Sequence, residues 1–370
     1  MRKIQSSLLV ILLFLLVIPN GQSVDACTTF CLKAGNQLVF GRNYDWSIGA
    51  GFVVVNKRNL SKTAFIAPPD KPATWVSKYG SITFNQYGKE YPMGGINEAG
   101  LVVEQMMLQV SQFPDSDARP AIGELPWIQY QLDNFSSVEE VIASNSSIRI
   151  LKNSVPIHFL ACDKSGRVAT IEFLEGKMVY HTSQTLPIEA LANSTYDESL
   201  EYLENHAGFG GEKEISHSTR SLDRFVRAAS MIHGYKNNKR VPIIDYAFEV
   251  LADVSQQNST QWSIVYDIKN FSVYFKTLSA QKIKILHLRD FDFSCQTPSK
   301  VIDIDTDRPG NISRYFLEFS TDINKKLIYD AFKNTEFLKD TPNEFLDQLS
   351  KYPETIKCKE KKTGNQPVED

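Results

Sequence analysis

Cys27, Arg42 and Asp45 fall within one short stretch, Cys27 to Trp46, CTTFCLKAGNQLVFGRNYDW. A thiol attacks a carbonyl only as the thiolate, so a working cysteine needs a nearby base or a depressed pKa. If Cys27 is the first residue of the mature chain, its own α-amine, titrating near about 7.7 to 8, is that base. With a peptide bond on its nitrogen it has none. Arg42 would then stabilise the thiolate, and Asp45 would hold the α-amine by a charge-assisted hydrogen bond. Taken alone, an arginine and an aspartate three residues apart read as a surface ion pair. Their place just after a hairpin, which returns the chain to its own start, is what makes them site candidates.

The residues before Cys27 supply a way to free its amine. Arg2 and Lys3 precede an apolar run from Leu8 to Ile18 and a polar end, Asn20 to Ala26. This is the layout of a secretory signal, and the run is shorter than the roughly 20 residues of a membrane span. Small residues at Val24 and Ala26 favour cleavage before Cys27, while Gly21-Gln-Ser23 offers an earlier cut followed by trimming. The expected location is therefore exported: periplasmic or extracellular, or a secretory or lysosomal lumen in a eukaryote. A bacterial lipoprotein signal also ends before a cysteine, but Asp25 fits that pattern badly. The non-enzymatic alternative is an exported binding protein, or a lipoprotein acylated on Cys27.

The mature chain would be about 344 residues of the 370, with 38 basic and 42 acidic side chains. It is long enough for a sizeable core, and the balance gives no surplus for binding nucleic acid or a membrane surface. Cys27, Cys31, Cys162, Cys295 and Cys358 are the cysteines; four could pair and leave a reactive Cys27, with no connectivity readable. Sequons begin at Asn59, Asn134, Asn145, Asn193, Asn258, Asn270 and Asn311.

Short β-rich runs, Thr28 to Leu32 and Gln37 to Gly41, flank Lys33-Ala-Gly-Asn36 and predict the hairpin. Further strands are expected at Gly51 to Val55, Ser81 to Asn85 and Leu101 to Leu108, the last entered through a turn at Gly94 to Gly100. Helices are expected near Glu124 to Leu132 and Ser137 to Ala143, the second opened by a capping box, Ser136-Ser-Val-Glu139. A meander follows at His158 to Cys162, Val168 to Phe173 and Met178 to His181, then helices at Leu222 to Ile232 and Ile244 to Ala252. Trp262 to Tyr266 and Phe271 to Lys276 read as a hairpin, and Lys282 to Leu288 as a strand. Strands and helices come in blocks, which predicts antiparallel sheets covered by helices. Residues 312–350 read as terminal helices and residues 351–370 as a polar, unstructured tail.

In motif order the chain resembles the choloylglycine hydrolase family of N-terminal nucleophile hydrolases, which includes conjugated bile acid hydrolases and penicillin V acylases. The motifs are Cys27-Thr, Phe40-Gly-Arg-Asn-Tyr-Asp45, Asn97-Glu-Ala-Gly-Leu101, Asp163-Lys-Ser-Gly166, Leu191-Ala-Asn193, Arg224-Phe-Val-Arg227 and Ser259-Thr-Gln-Trp262. The resemblance spans residues 27–288 of one catalytic domain, 27–350, and implies an α+β fold: a four-layer αββα sandwich of two antiparallel sheets. It implies Cys27 as nucleophile, Arg42 and Asp45 beside it, Asn193 as oxyanion donor and Arg224 organising the site. It implies no cofactor and no metal. The substrate would be a small-molecule linear amide with an apolar acyl or steroid part, such as a bile salt, penicillin V or an N-acyl homoserine lactone. A homo-oligomer is left open. Where the family carries Asn or Tyr as a substrate discriminator, this chain has Met107; with Met106 and Tyr44 it suggests a flexible apolar pocket.

Other chemistries fit less well. A Cys-His enzyme would need His158, which opens an apolar strand and reads as structural. The remaining histidines, His181, His206, His217, His233 and His287, show no metal-ligand spacing.

Overall fold

The computed structural model describes residues 27–237 and 241–359; the apolar leader and the chain after Lys359 lie outside them. The hairpin forms from β1 (Thr28–Ala34) and β2 (Gln37–Asp45), paired with Thr29 opposite Arg42. It is closed at Gly35, whose φ of 59° is the left-handed turn conformation that a glycine adopts without strain. β1 and β2 sit inside a seven-stranded sheet, between Ala190–Leu191 on one side and Thr260–Asp267 on the other. Ser272–Thr277, Lys284–His287 and Gly310–Asn311 complete it.

The second sheet has nine strands. Its middle is β3 (Phe52–Asn56), β6 (Ser81–Asn85), β7 (Pro92–Asn97) and β8 (Val102–Met107), while β4 (Leu60–Thr63) and β5 (Thr74–Val76) form a small sheet with Lys357–Cys358. The meander of Ile157–Cys162, Val168–Leu174 and Lys177–Thr182 extends it beyond β8. The two sheets stack face to face: Phe84 of β6 meets Tyr266 and Phe275 of the first sheet at centroid distances of 6.2 and 5.3 Å.

Helices cover both outer faces. α1 (Glu124–Asn134) and α2 (Val138–Ala143) lie on the nine-stranded sheet, where Trp127 packs on Phe159 at 4.4 Å. α3 (Tyr196–Glu204), α4 (Ser221–Asn237) and α5 (Ile243–Asp253) gather at the other sheet, and Asn43 of β2 donates to Leu251 O at 2.7 Å. α6 (Thr321–Asn334) and α7 (Asn343–Lys351) are the last two helices of the described residues. This is the αββα layering. Its physical basis is burial: β2, β6 and β7 are almost wholly enclosed, so each needs cover on both faces.

Three local expectations are corrected. The α2 cap is Ser137 with Glu140, one residue later than expected, because Glu140 accepts from Ser136 N at 2.8 Å as well as from Ser137 N at 3.0 Å. Gly94 and Gly95 belong to β7 rather than to a turn. A Cβ at Gly94 would lie 1.9 Å from Glu104 Oε2, and one at Gly95 would lie 2.4 Å from Ile82 O, so side-chain and backbone crowding selects glycine in a central strand. Finally, the expected tail is structured as far as Lys359: Cys358 forms a disulfide with Cys295, and Lys359 N donates to Asn59 O at 2.8 Å.

Candidate active site

Strand alternation divides the work of β2. Arg42 and Tyr44 project between the sheets, while Asn43 and Asp45 project toward the helical layer. Cys27, just before β1, is 2% exposed, and its backbone is held from that layer: Arg224 of α4 donates Nη1 to Cys27 O at 2.6 Å and also to Thr28 Oγ1. From between the sheets, Arg42 Nη2 donates to Cys27 Sγ at 3.9 Å. Two buried guanidinium groups thus fix one residue from opposite sides.

Arg42 is itself tied down. Its Nη1 donates to Met93 O at 2.8 Å and pairs with Glu104 of β8, which also accepts from Tyr266. Burial opposes the guanidinium charge, but Glu104 and the Cys27 sulfur outweigh it and raise the Arg42 pKa. Burial pushes the Glu104 carboxyl up to about 7, against the pull of Arg42 and the Tyr266 hydrogen bond. Burial likewise raises the Cys27 thiol, with Arg42 opposing it. The arginine alone therefore does not turn this buried thiol into a thiolate.

Asp45 stands on the far face. Its backbone oxygen lies 4.0 Å from Cys27 Sγ, while its carboxylate accepts from Thr260 Oγ1 and, at 2.9 Å, from Gln256 Nε2. A β-bulge between Thr260 and Trp262 turns Thr260 onto it, a use of bulges common beside sites. Burial pushes its carboxyl up to about 6, although Arg224 and these hydrogen bonds pull it down.

Asn193 follows the short strand Ala190–Leu191. Its Oδ1 accepts from Arg224 Nη2 at 2.8 Å and its Nδ2 donates to Met107 O at 2.8 Å. Both ends of the amide are engaged, which sets it apart from an exposed sequon. An amide nitrogen carries two hydrogens, so one remains beyond the Met107 bond. His158 is structural in its contacts: Nδ1 faces Glu172 Oε1 at 3.0 Å and Nε2 faces Ala192 O at 2.8 Å, bracing the segment that carries Asn193.

Beside Cys27 lies a cavity of about 230 Å³, walled by Tyr44, Trp46, Tyr87, Gln105, Met107 and the side chains of the last two helices. Tyr44 and Met107 border it. Met106 does not: its sulfur accepts from Thr29 Oγ1 at 3.1 Å. Adjacent strand residues point to opposite faces, so Met107 brings Gln105, not Met106, to the cavity. Sequence reasoning also missed Glu104, whose signal was a lone charge inside an apolar strand, and the aromatic wall after residue 320, which carries no local signature. Of the five cysteines, Cys27, Cys31 and Cys162 are free and buried. Among the described residues no cluster of three or more His, Cys, Asp or Glu could hold a metal ion, and no helix is long and apolar enough to cross a membrane.

The profile of linear amide C-N hydrolases, choloylglycine hydrolase family, matches residues 27–302. A penicillin V acylase from Pectobacterium atrosepticum is 26% identical over 262 residues, 60% of this chain and 69% of that protein. Among solved structures, the penicillin V acylase from Agrobacterium tumefaciens aligns with a TM-score of 0.70 and 26% identity, over 80% of this chain and 98% of the other. A variant of the conjugated bile acid hydrolase from Clostridium perfringens shares the fold, with a TM-score of 0.62 and 18% identity over 75% and 96% of the two chains. The chain is a linear amide C-N hydrolase and belongs to the choloylglycine hydrolase family.

Proposed function

We propose that this chain is exported, is cut before Cys27, and then uses the freed cysteine to hydrolyse a linear amide whose acyl part is apolar. The observation that carries this reading is the position of Cys27 Sγ, which borders the apolar cavity with Arg42 Nη2 at 3.9 Å. The thiol proton passes to the Cys27 α-amine and sulfur attacks the amide carbonyl carbon. Charge develops on the carbonyl oxygen, where the free N–H of Asn193 is suited to receive it; one such donor is typically worth about 10²- to 10³-fold in rate. Collapse of the intermediate breaks the C–N bond, and the leaving amine takes the proton from the α-ammonium. Water, deprotonated by the same amine, then attacks the thioester and releases the acid. Asp45 and Arg224 hold the ends of this arrangement. Arg42 offsets the burial that opposes the thiolate.

Cavity size bears on the substrate. A cavity of about 150 Å³ holds benzene, so 230 Å³ encloses an apolar group of about nine carbons on the same scale. An arylacetyl or medium-chain acyl group fits within it, whereas a steroid acid would extend well outside. The lipoprotein reading is disfavoured by the same burial, since two acyl chains on Cys27 would have to leave through that cavity. Intact mass of the secreted protein tests processing, with a chain beginning at unmodified Cys27 expected. Cys27→Ala should abolish hydrolysis of phenoxyacetyl and octanoyl amides; turnover that survives the substitution excludes the mechanism.

A further inference from the structure

The family profile ends at residue 302, yet five of the eighteen residues around the cavity lie after it: Phe332, Phe337, Leu338, Phe345 and Leu349. All five are apolar, and together they form a wall that joins Trp46 through Phe337. We propose that α6, α7 and the loop between them are the specificity wall of the acyl site, closing it over an apolar group of about nine carbons and setting the longest chain that it encloses. The proposal rests on the reading of Cys27 as nucleophile.

The wall is built into the body of the enzyme. Trp46, next to Asp45, donates Nε1 to Tyr87 OH at 2.9 Å, and Tyr87 OH meets Thr335 Oγ1 at the end of α6 at 3.0 Å. Trp46 also packs edge-on against Phe337 at 6.3 Å, and Tyr87 against Phe332 at 5.7 Å. Asn324 accepts from Lys89 N at 2.8 Å and donates to Ser350 O at 3.0 Å, joining α6 to both the nine-stranded core and α7. Past α7, Tyr352 OH donates to Thr63 O at 2.9 Å, and Cys358 is bonded to Cys295. Both ends of the appended segment are therefore fixed to the catalytic domain, and the aromatic wall is held at a set distance from Cys27. A surface pair of helices would not need five aromatic and aliphatic side chains around a cavity; of these Phe345 is exposed and the other four are buried or half-buried. Burying one methylene is worth about 0.8 kcal/mol, close to a fourfold change in binding. Each added carbon should therefore raise specificity until the wall is met.

The test is a series of N-acyl p-nitroanilides with linear acyl chains of four to fourteen carbons. For the wild-type mature protein, kcat/KM should climb about fourfold per methylene and break near nine carbons. Phe337→Ala and Phe345→Ala should each move the break to longer chains by two or more carbons, and Leu338→Trp should move it to shorter ones. Melting curves check that each variant is folded, and the opposing directions distinguish a wall from general damage. Calorimetric binding of the same series to Cys27→Ala reads the wall without any chemistry. A break that stays at one chain length in all three variants, in turnover and in binding, overturns the proposal. Length-dependent binding that follows the variants without any turnover by the wild type would keep the wall and overturn the nucleophile reading instead.

Discussion

Replacing Arg42 with methionine isolates what its charge does for Cys27. Methionine keeps much of the length and packing while removing the cation. The guanidinium Nη2 lies 3.9 Å from the sulfur; at an effective dielectric of about 20, a unit charge at that distance is worth about 4 kcal/mol. That corresponds to a rise of about three pKa units in the thiol. Nucleophilicity grows with thiol basicity at a Brønsted slope of about 0.4 to 0.5, which returns part of the loss. Alkylation of Cys27 by iodoacetamide at a fixed pH below both pKa values should therefore slow about 30- to 60-fold. The substitution leaves Glu104 buried without its cation. Its carboxyl, already up at about 7, is expected to take up a proton rather than stay charged. The double variant Arg42→Met/Glu104→Gln removes even that cost and should show the same alkylation defect with a higher melting temperature. The assay is intact mass against time across pH, on protein that begins at Cys27. An alkylation rate within threefold of wild type, in both variants, refutes a thiolate-stabilising role for Arg42.

Asp45 gives a stability prediction with a definite sign. Its folded pKa of about 6 exceeds the ordinary 3.8, so the fold favours the protonated form; its contribution is full below pH 3.8 and is lost as pH rises through 6. In the chain still carrying residues upstream of Cys27, Asp45→Asn should raise stability at pH 7 by as much as about 3 kcal/mol and flatten the denaturant midpoint between pH 4 and 6, while turnover of the mature protein falls. A slope that is unchanged in that window refutes it. Gly94→Ala places a Cβ 1.9 Å from Glu104 Oε2 and should lower the melting temperature by several degrees and turnover with it, by dislodging the partner of Arg42. An unchanged melting temperature would mean that Glu104 is not confined there. Cys295 and Cys358 close a loop of 63 residues, so Cys295→Ser/Cys358→Ser should lose up to about 4 kcal/mol and expose the segment after residue 300 to proteolysis. Equal protease resistance with and without the bond would refute it.

The legible part of the site was local. Cys27, Arg42 and Asp45 could be read because one hairpin brings them together, and a hairpin is specified by turn residues and a two-residue period within about twenty positions. Glu104 was hidden in plain view: the strand was expected, but nothing in its sequence says that the carboxylate reaches through the space left by Gly94 to a guanidinium on the other sheet. The same gap turned β7 into an expected turn, since two glycines signal a break unless the crowding neighbours are known. Met106 and Met107 could not be sorted without the phase of β8.

By itself the sequence determined the chemistry on offer: a cysteine directly after a leader-like apolar stretch, a neighbouring arginine and aspartate, and an ordered set of motifs that carries the fold. Those are properties of short segments and of their order. Only the tertiary structure decided how each group is used, because burial and charge neighbours come from distant strands. It raised the thiol, so that the arginine is not enough. It anchored the Asp45 carboxylate on Thr260 and Gln256, and it set the amide of Asn193 between Arg224 and Met107. It also brought the last two helices, some three hundred residues from Cys27 along the chain, against the same cavity. Side chains that far apart in sequence meet only where two sheets and their covering layers are packed, and no local pattern encodes that meeting.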